Sequence, residues 1–231
     1  MAEFQPITAA QCEGIRAYDT CKIANAIERL GLRMKNEGFT RPGLVCRISG
    51  YASALGYSVT SRVRSADPPV RGYSFAELEE WWAAFERFPW PRLAVIEDID
   101  QVAGQGAALS NIHAEVLRAL GCAGLVTNGS VRNLPELDRM RFPVFSCHVA
   151  VSHAYIHMVE FNAPVEILGL PVQPRDLIYA DCHGAISIPE AQVDDIVRVA
   201  GELASAERRT IDLCHAGRFP FSALAESDRS C

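Results

Sequence analysis

The residues whose types could do chemistry crowd into one stretch, Gly104 to Asn133. Gly104-Gln105-Gly106 runs into Ser110-Asn111 and then an apolar-periodic segment. Free backbone N–H groups at such a helix start, with the positive end of its dipole, would make an anion site. The loop does not complete a G-x-G-x-x-G fingerprint, because Leu109 stands where the third glycine would be, and no Walker-type lysine follows. A bare strand–helix connection is the alternative reading. Downstream, Leu125-Val126-Thr127 leads into Asn128-Gly129-Ser130-Val131-Arg132-Asn133. Ligands of open α/β sheets gather beyond the carboxyl ends of strands. Arg132 there would either grip a carboxylate with two parallel N–H donors or pair with a structural Asp or Glu.

Other groups have suitable residue types and weaker spacing. His148, His153 and His157 lie in CHVAVSHAYIHMVEF. If that segment is helical, His153 and His157 share a face as an i, i+4 zinc pair, yet a third ligand and the Glu of H-E-x-x-H are missing. Histidines bonded to backbone in a core or interface are the plainer reading. His183 precedes Gly184 in Asp181-Cys182-His183-Gly184 and is expected to shape that turn. Of the 22 basic residues only Lys22 and Lys35 are lysines, which leaves Schiff-base chemistry two candidates. Lys22 shares a helix side with Tyr18, Asn25 and Arg29, opposite the apolar stripe, and a solvated ammonium is a poor nucleophile at neutral pH. The 8 cysteines form no C-x-x-C pair and sit mostly in apolar runs such as LVCRI. They read as reduced small hydrophobes in a cytoplasmic setting.

The elements that must position these residues follow from periodicity. Ile15–Leu30 has helical spacing, with Gly31 as its stop. Leu44–Ile48 and Ala54–Val63 read as strands. After the Asp67-Pro68-Pro69 break, Ser74 would cap a helix with Glu77 at the capping-box position, running through Trp81, Trp82 and Phe85. Then come strand Leu93–Ile96, the glycine loop, helix Ser110–Leu120, strand Gly124–Thr127 and a turn at Asn128-Gly129. A short helix Leu134–Arg139 and strand Pro143–Ser146 close this alternation, which implies parallel strands with right-handed crossovers. Pro164–Leu168, Leu177–Ala180 and Ala185–Ile188 are short extended runs, and Ala191–Arg208 is a long helix. The expected class is α/β, with mixed parallel and antiparallel strands flanked by helices.

With 231 residues, 49% of them hydrophobic, the chain can build a substantial core, which excludes intrinsic disorder. It reads as a single domain over 1–231, with about 1–15 and 210–231 as peripheral arms. A net charge of −6 gives no global attraction to nucleic acid or anionic membrane. No leader with a basic start and an apolar centre is visible. Phe142–Val159 lacks Asp, Glu, Lys and Arg but contains a proline, two serines and three histidines, a poor bilayer span.

Several blocks, in order, resemble one family. GCAGLVTNGSVRNLPEL is similar to the G-x-x-G-x-V-x-x-G-x-x-R-D signature of the RraA-like family, which includes 4-hydroxy-4-methyl-2-oxoglutarate aldolases. DTCKIANAIERLG resembles its N-terminal T-x-x-V-x-D-A-L helix, and GYSVTSRVR its G-x-A-x-T-V strand. PVEILGLPVQPRDLIYADCHGAISIP resembles the stretch around its P-G-D-x-x-x-A-D-x-x-G-V. The resemblance implies a compact swivelling β/β/α fold, assembled as a homotrimer or hexamer with active sites between subunits.

It also implies a class II-type lyase that cleaves or decarboxylates small 2-oxo dicarboxylic acids and releases pyruvate, with Mg²⁺ or Mn²⁺ as electron sink. That suits a chain with so few lysines. By resemblance Arg132 and Asn133 are the catalytic positions. Asn111, Ile112, His113 and Arg132 would bind substrate, the amides of Ile112 and His113 anchoring it, and Asn133 would contact the metal. The family's two acidic positions are both amides here, Asn111 upstream and Asn133 after the arginine, and Asn25 is a third Asp-to-Asn change. An amide offers a neutral oxygen where Mg²⁺ favours charged ones. Glu202 and Glu207 of a neighbouring subunit are candidate replacements. Two alternatives stand beside the lyase. One is a non-catalytic oligomeric binding or regulatory member, as family members that modulate an RNA-degrading nuclease imply. The other is a metal-free enzyme with altered chemistry.

Overall fold

The computed structural model describes residues 5–50, 52–70 and 75–215. The chain divides into two compact units, one on residues 5–6 and 38–188 and one on 7–37 with 189–215.

In the first unit, nine strands among the described residues form one mixed sheet. They are β1 (Val45–Cys46), β2 (Ala54–Arg64), β3 (Arg92–Asp98), β4 (Ala107–Leu109), β5 (Cys122–Val131), β6 (Val144–Val149), β7 (His157–Phe161), β10 (Leu177–Asp181) and β11 (Gly184–Ser187). The order is β1-β6-β5-β3-β2-β10-β11, with β4 on β5 and β7 on β2; β8 (Val165–Ile167) and β9 (Leu170–Val172) make a separate hairpin. The pairs β2–β3, β3–β5, β4–β5 and β5–β6 are parallel, and β1–β6, β2–β7, β2–β10 and β10–β11 antiparallel. The expected mixture of strand directions is therefore present.

Both faces of the central strands are buried, which accounts for their continuous apolar runs. Ala94, Ile96, Leu125 and Val144 join Trp81 and Phe85 of α3 (Phe75–Phe85), Ala114 and Leu117 of α4 (Asn111–Ala119) and Leu137 of α5 (Leu134–Met140) in one cluster. Their neighbours Leu93, Val95, Val126 and Phe145 point the other way, onto Val165, Ile167, Leu170 and Val172 of the β8–β9 hairpin. Ser74 and the Glu77 side chain, expected to cap α3, lie outside the described residues.

Four expectations are corrected here. The turn at Asn128-Gly129 is absent and β5 runs on to Val131. Asn128 instead inserts its amide between strands: Oδ1 accepts from the Asp98 N–H at 2.7 Å and Nδ2 donates to Asp98 O at 2.9 Å. The His148–His157 segment is not helical; β6 ends at Val149 and β7 starts at His157, so His153 and His157 share no helix face. The run expected at Leu44–Ile48 shortens to Val45–Cys46. Ile15–Leu30 is two helices: the first ends at Arg16 with Ala17 as its C-cap, and Asp19 caps the next, its carboxylate accepting from the Lys22 N–H at 2.7 Å.

The second unit contains those helices, α1 (Ala9–Arg16) and α2 (Thr20–Arg29), packed on α6 (Val193–His215), which follows a 3-10 turn at Glu190–Gln192. Residues 9–15 of the expected N-terminal arm are thus helical, and α6 extends beyond Arg208. Ile15, Ile23, Ala26 and Ile27 are buried in this unit, as are Ile196, Val199, Ala200 and Leu203. Lys22 is not solvated as expected: it is largely buried and forms an ion pair with Glu207. Among the described residues no helix is long and apolar enough to cross a membrane.

Candidate functional site

The β4–β5 ladder joins the two halves of the candidate site. Ala107 pairs with Ser130 and Leu109 with Val131, and the Arg132 N–H donates to Leu109 O at 3.0 Å. Leu109 leads directly into Ser110, the N-cap of α4, and Arg132 leads into Asn133, the N-cap of α5. Asn111, Ile112 and His113 at one helix start therefore stand beside Arg132 and Asn133 at another.

Asn133 occupies the left-handed region at φ 60°, which asparagine tolerates better than most residues, and its carbonyl accepts from the Glu136 and Leu137 N–H groups. Its side chain does not cap the helix. Asn133 Oδ1 instead accepts from Arg132 Nε at 3.1 Å. Arg132 is half-buried and in no ion pair among the described residues. Of the two open readings of this arginine, internal neutralisation by an Asp or Glu finds no partner among the described residues. A guanidinium held at Nε still presents its Nη groups to a carboxylate.

The amides of the glycine loop are not free as an anion site. The Gly104 N–H donates to Asp98 Oδ2 at 2.7 Å and the Gly106 N–H to Ser65 Oγ at 3.0 Å. Close packing explains both glycines. Gly104 has φ +92°, and a Cβ there would lie 2.6 Å from the His148 ring; one on Gly106 would lie 2.3 Å from the His153 carbonyl oxygen. The loop is a rigid connection, and what it leaves open is the α4 start. There, His113 Nδ1 faces the Ser110 N–H at 3.4 Å and Ser110 Oγ at 3.2 Å, a capping arrangement with His in place of Glu or Gln. Ile112 is 69% exposed.

Two of the three clustered histidines hydrogen-bond to backbone carbonyls, His153 Nδ1 to Ala107 O at 2.8 Å and His157 Nδ1 to Tyr155 O at 2.7 Å. The His153 ring meets that of His113 edge-on, 5.8 Å between centroids. Burial, and secondarily His153, holds the His113 pKa below its ordinary value, so the imidazole stays neutral. Asp98, buried at the end of β3, is the residue sequence reasoning missed. Burial raises its pKa, against the N–H groups of Gly104 and Asp100 that favour its charge. Its only sequence signal is its place just beyond the apolar run Leu93–Ile96. Glu202 and Glu207, suggested for a neighbouring subunit, pair within their own chain with Arg198 and Lys22.

The donors here do not fit a hard divalent cation. Asn111 and Asn133 bring neutral amide oxygens where Mg²⁺ or Mn²⁺ favours carboxylates, and the Asn133 oxygen already accepts from Arg132.

Comparisons with known proteins agree with the fold. Residues 20–187 match the RraA-like family, described as Aldolase/RraA. A protein of Halalkalibacterium halodurans that carries the name 4-hydroxy-4-methyl-2-oxoglutarate aldolase is 29% identical over 84 residues, 36% of this chain and 40% of that protein. An uncharacterized Methanocaldococcus jannaschii protein is 26% identical over 119 residues, 48% of this chain and 56% of that one. The chain thus spans about half the length of these curated relatives. Among solved structures, an uncharacterized protein from Pseudomonas syringae superposes with TM-score 0.75 at 20% identity, over 97% of each chain. Streptomyces coelicolor RraAS2, described as an unusual member of the RNase ES inhibitor RraA family, gives 0.69 at 18% identity, over 89% of this chain and 98% of that one.

Proposed function

The chain belongs to the RraA-like family, and on that premise we propose that it binds a small 2-oxo dicarboxylic acid at Arg132 and acts on it as a lyase, by decarboxylation or aldol cleavage that releases pyruvate. The carrying observation is a half-buried guanidinium with no carboxylate partner among the described residues, set beside the first turn of α4. Arg132 Nη groups take the substrate carboxylate and the adjacent carbonyl oxygen, and the N–H groups of Ile112 and His113 take the remaining acceptors. When the bond beta to the carbonyl breaks, its electron pair passes to that carbonyl oxygen as an enolate. Positive charge fixed there before reaction stabilises the enolate. Carbon dioxide leaves, or in aldol cleavage a carbonyl compound whose former hydroxyl proton passes to water, and the enolate takes a proton from water to give pyruvate. No step runs through a metal, because the amide donors do not fit one.

A second reading, a non-catalytic binding or regulatory member, draws on the same amides: a site that has lost both acidic groups can keep recognition and lose turnover. Homo-oligomeric assembly belongs to either reading. Following pyruvate from oxaloacetate, with and without Mg²⁺ or Mn²⁺, separates them. The lyase reading expects release above the uncatalysed rate, with kcat/KM falling about a hundredfold or more in Arg132→Ala. Calorimetric binding of oxaloacetate that needs Arg132, without turnover, favours the binding protein. Binding and turnover indifferent to Arg132 would refute both. In the double variant Asn111→Asp, Asn133→Asp, Mg²⁺ affinity should rise, and an unchanged titration would refute the placement of those two residues.

A further inference from the structure

The hairpin from β10 to β11 turns through Asp181, Cys182, His183 and Gly184, with Asp181 and Gly184 opposite each other in the ladder. Its first three residues carry a carboxylate, a thiol and an imidazole whose donor atoms lie within 4.8 Å of one another. Cys182 Sγ is 3.6 Å from His183 Nδ1, and Asp181 Oδ1 is 3.1 Å from the same nitrogen. Cys182 and His183 are exposed, so an ion can reach them, while the Asp181 side chain is fully buried.

These separations are close to those between ligands around one small ion. Tetrahedral Zn²⁺, with Zn–S near about 2.3 Å and Zn–N or Zn–O about 2.0–2.1 Å, sets S and N about 3.6 Å apart and N and O about 3.4 Å apart. The donors are also held in place beforehand. All five residues of β10 are buried, and Asp181 Oδ1 accepts from the His183 backbone N–H at 2.8 Å, fixing the carboxylate against the imidazole. On the other side of the turn, Thr40 pairs with Ala185, donating its N–H at 2.9 Å and accepting at Oγ1 at 3.1 Å. His183 does shape the turn as expected, and the same contact aims its ring nitrogen at the two other donors.

We propose that Asp181, Cys182 and His183 form a three-ligand site for a borderline-soft divalent cation of the Zn²⁺ class. A thiolate and an imidazole select such an ion over Mg²⁺ or Mn²⁺, whose preference is for oxygen, so this site is chemically separate from the Arg132 loop. On binding, Cys182 releases its thiol proton to solvent, and the ion takes the place of the proton between Nδ1 and Oδ1, which passes through solvent to Nε2 and leaves the imidazole neutral. No electron moves. Three protein ligands leave the fourth position to water.

Titrating the reduced full-length protein with Co²⁺ as a coloured substitute for Zn²⁺ tests this. The expected result is a saturable thiolate-to-cobalt charge-transfer band that Zn²⁺ displaces. Cys182→Ser abolishes the band, and His183→Ala weakens Zn²⁺ binding about tenfold or more in calorimetry. Cys21 and Cys214 are also exposed, so the Cys21→Ser, Cys214→Ser variant must keep the band. No band in the unaltered protein, a band that survives Cys182→Ser, or a Zn²⁺ titration unchanged in Cys182→Ser, His183→Ala would each overturn the proposal.

Discussion

A single neutral amide decides the charge at the centre of the candidate site. Were Asn133 an aspartate, the group 3.1 Å from Arg132 Nε would neutralise the guanidinium; as asparagine it orients the guanidinium and leaves its charge for a ligand. The imidazole of His113 adds no compensating charge, because burial and the ring of His153 keep its pKa below the ordinary 6.5. That shift has a consequence for stability. Above about pH 6.5 the side chain is neutral in both folded and unfolded chains and contributes nothing. As pH falls through that value the unfolded chain takes a proton that the folded one does not, so stability declines toward acid until the folded imidazole titrates too. His113→Gln keeps a capping partner for Ser110 and removes the titration. The thermal midpoint of the unaltered protein should therefore fall more steeply between about pH 7 and pH 5 than that of the variant. Equal slopes in scanning calorimetry would mean that the folded imidazole titrates as freely as the unfolded one.

At the scale of elements, the site depends on β4, a three-residue strand that pairs with β5 and, among the described residues, with no other strand of the sheet. Its position is set by close packing around Gly106, where any side chain would meet the His153 carbonyl at 2.3 Å. Gly106→Ala must push either the loop or His153 aside, which should cost about 1–3 kcal/mol in urea unfolding and reduce binding at Arg132 as well. Unchanged stability would mean that the loop tolerates displacement. The same element shows what could be read from the chain. Leu93–Ile96 was legible as a strand because burial on both faces demands an unbroken apolar run, and Arg132 was legible as a candidate because it lies just past another such run, whereas Asn133 entered only through the family resemblance. Ala107–Leu109 was not, since three residues carry no period and the flanking Gly106 and Ser110 read as a loop entering a helix. Nor was the long β5, since Asn128-Gly129 is a turn pair unless, as here, the asparagine amide is taken by the backbone of Asp98. Asp98 itself was invisible because its partners are N–H groups, which any sequence supplies.

At the scale of the whole chain, one of the two units is discontinuous: α1 and α2 come from the start, α6 from the end, and residues 38–188 lie between. Bringing ends across some 150 residues costs about 4–5 kcal/mol of loop-closure entropy, which the packing of the helices must exceed. Ile15 and Ile23 are wholly buried and Ile27 nearly so, each giving about 1.5–3 kcal/mol when removed from water. The small residues on the facing surfaces allow this packing; a Cβ on Gly14 would already touch Val197 at 3.0 Å, and one on Gly201 the Tyr18 hydroxyl at 2.9 Å. Neither early helix can stand alone. With 8 and 10 residues, α1 and α2 are shorter than the about 12–15 at which isolated helices become even marginal in water. Deleting the chain from residue 189 onward removes α6 and should leave both helices unsupported. Hydrogen exchange is the direct measurement: amides of residues 12–16 and 23–29 should be slow in the full chain and exchange at the rate of an unstructured peptide after the deletion. Retained protection would mean that α1 and α2 are held by something other than α6, and that the buried isoleucines do not find their partner there.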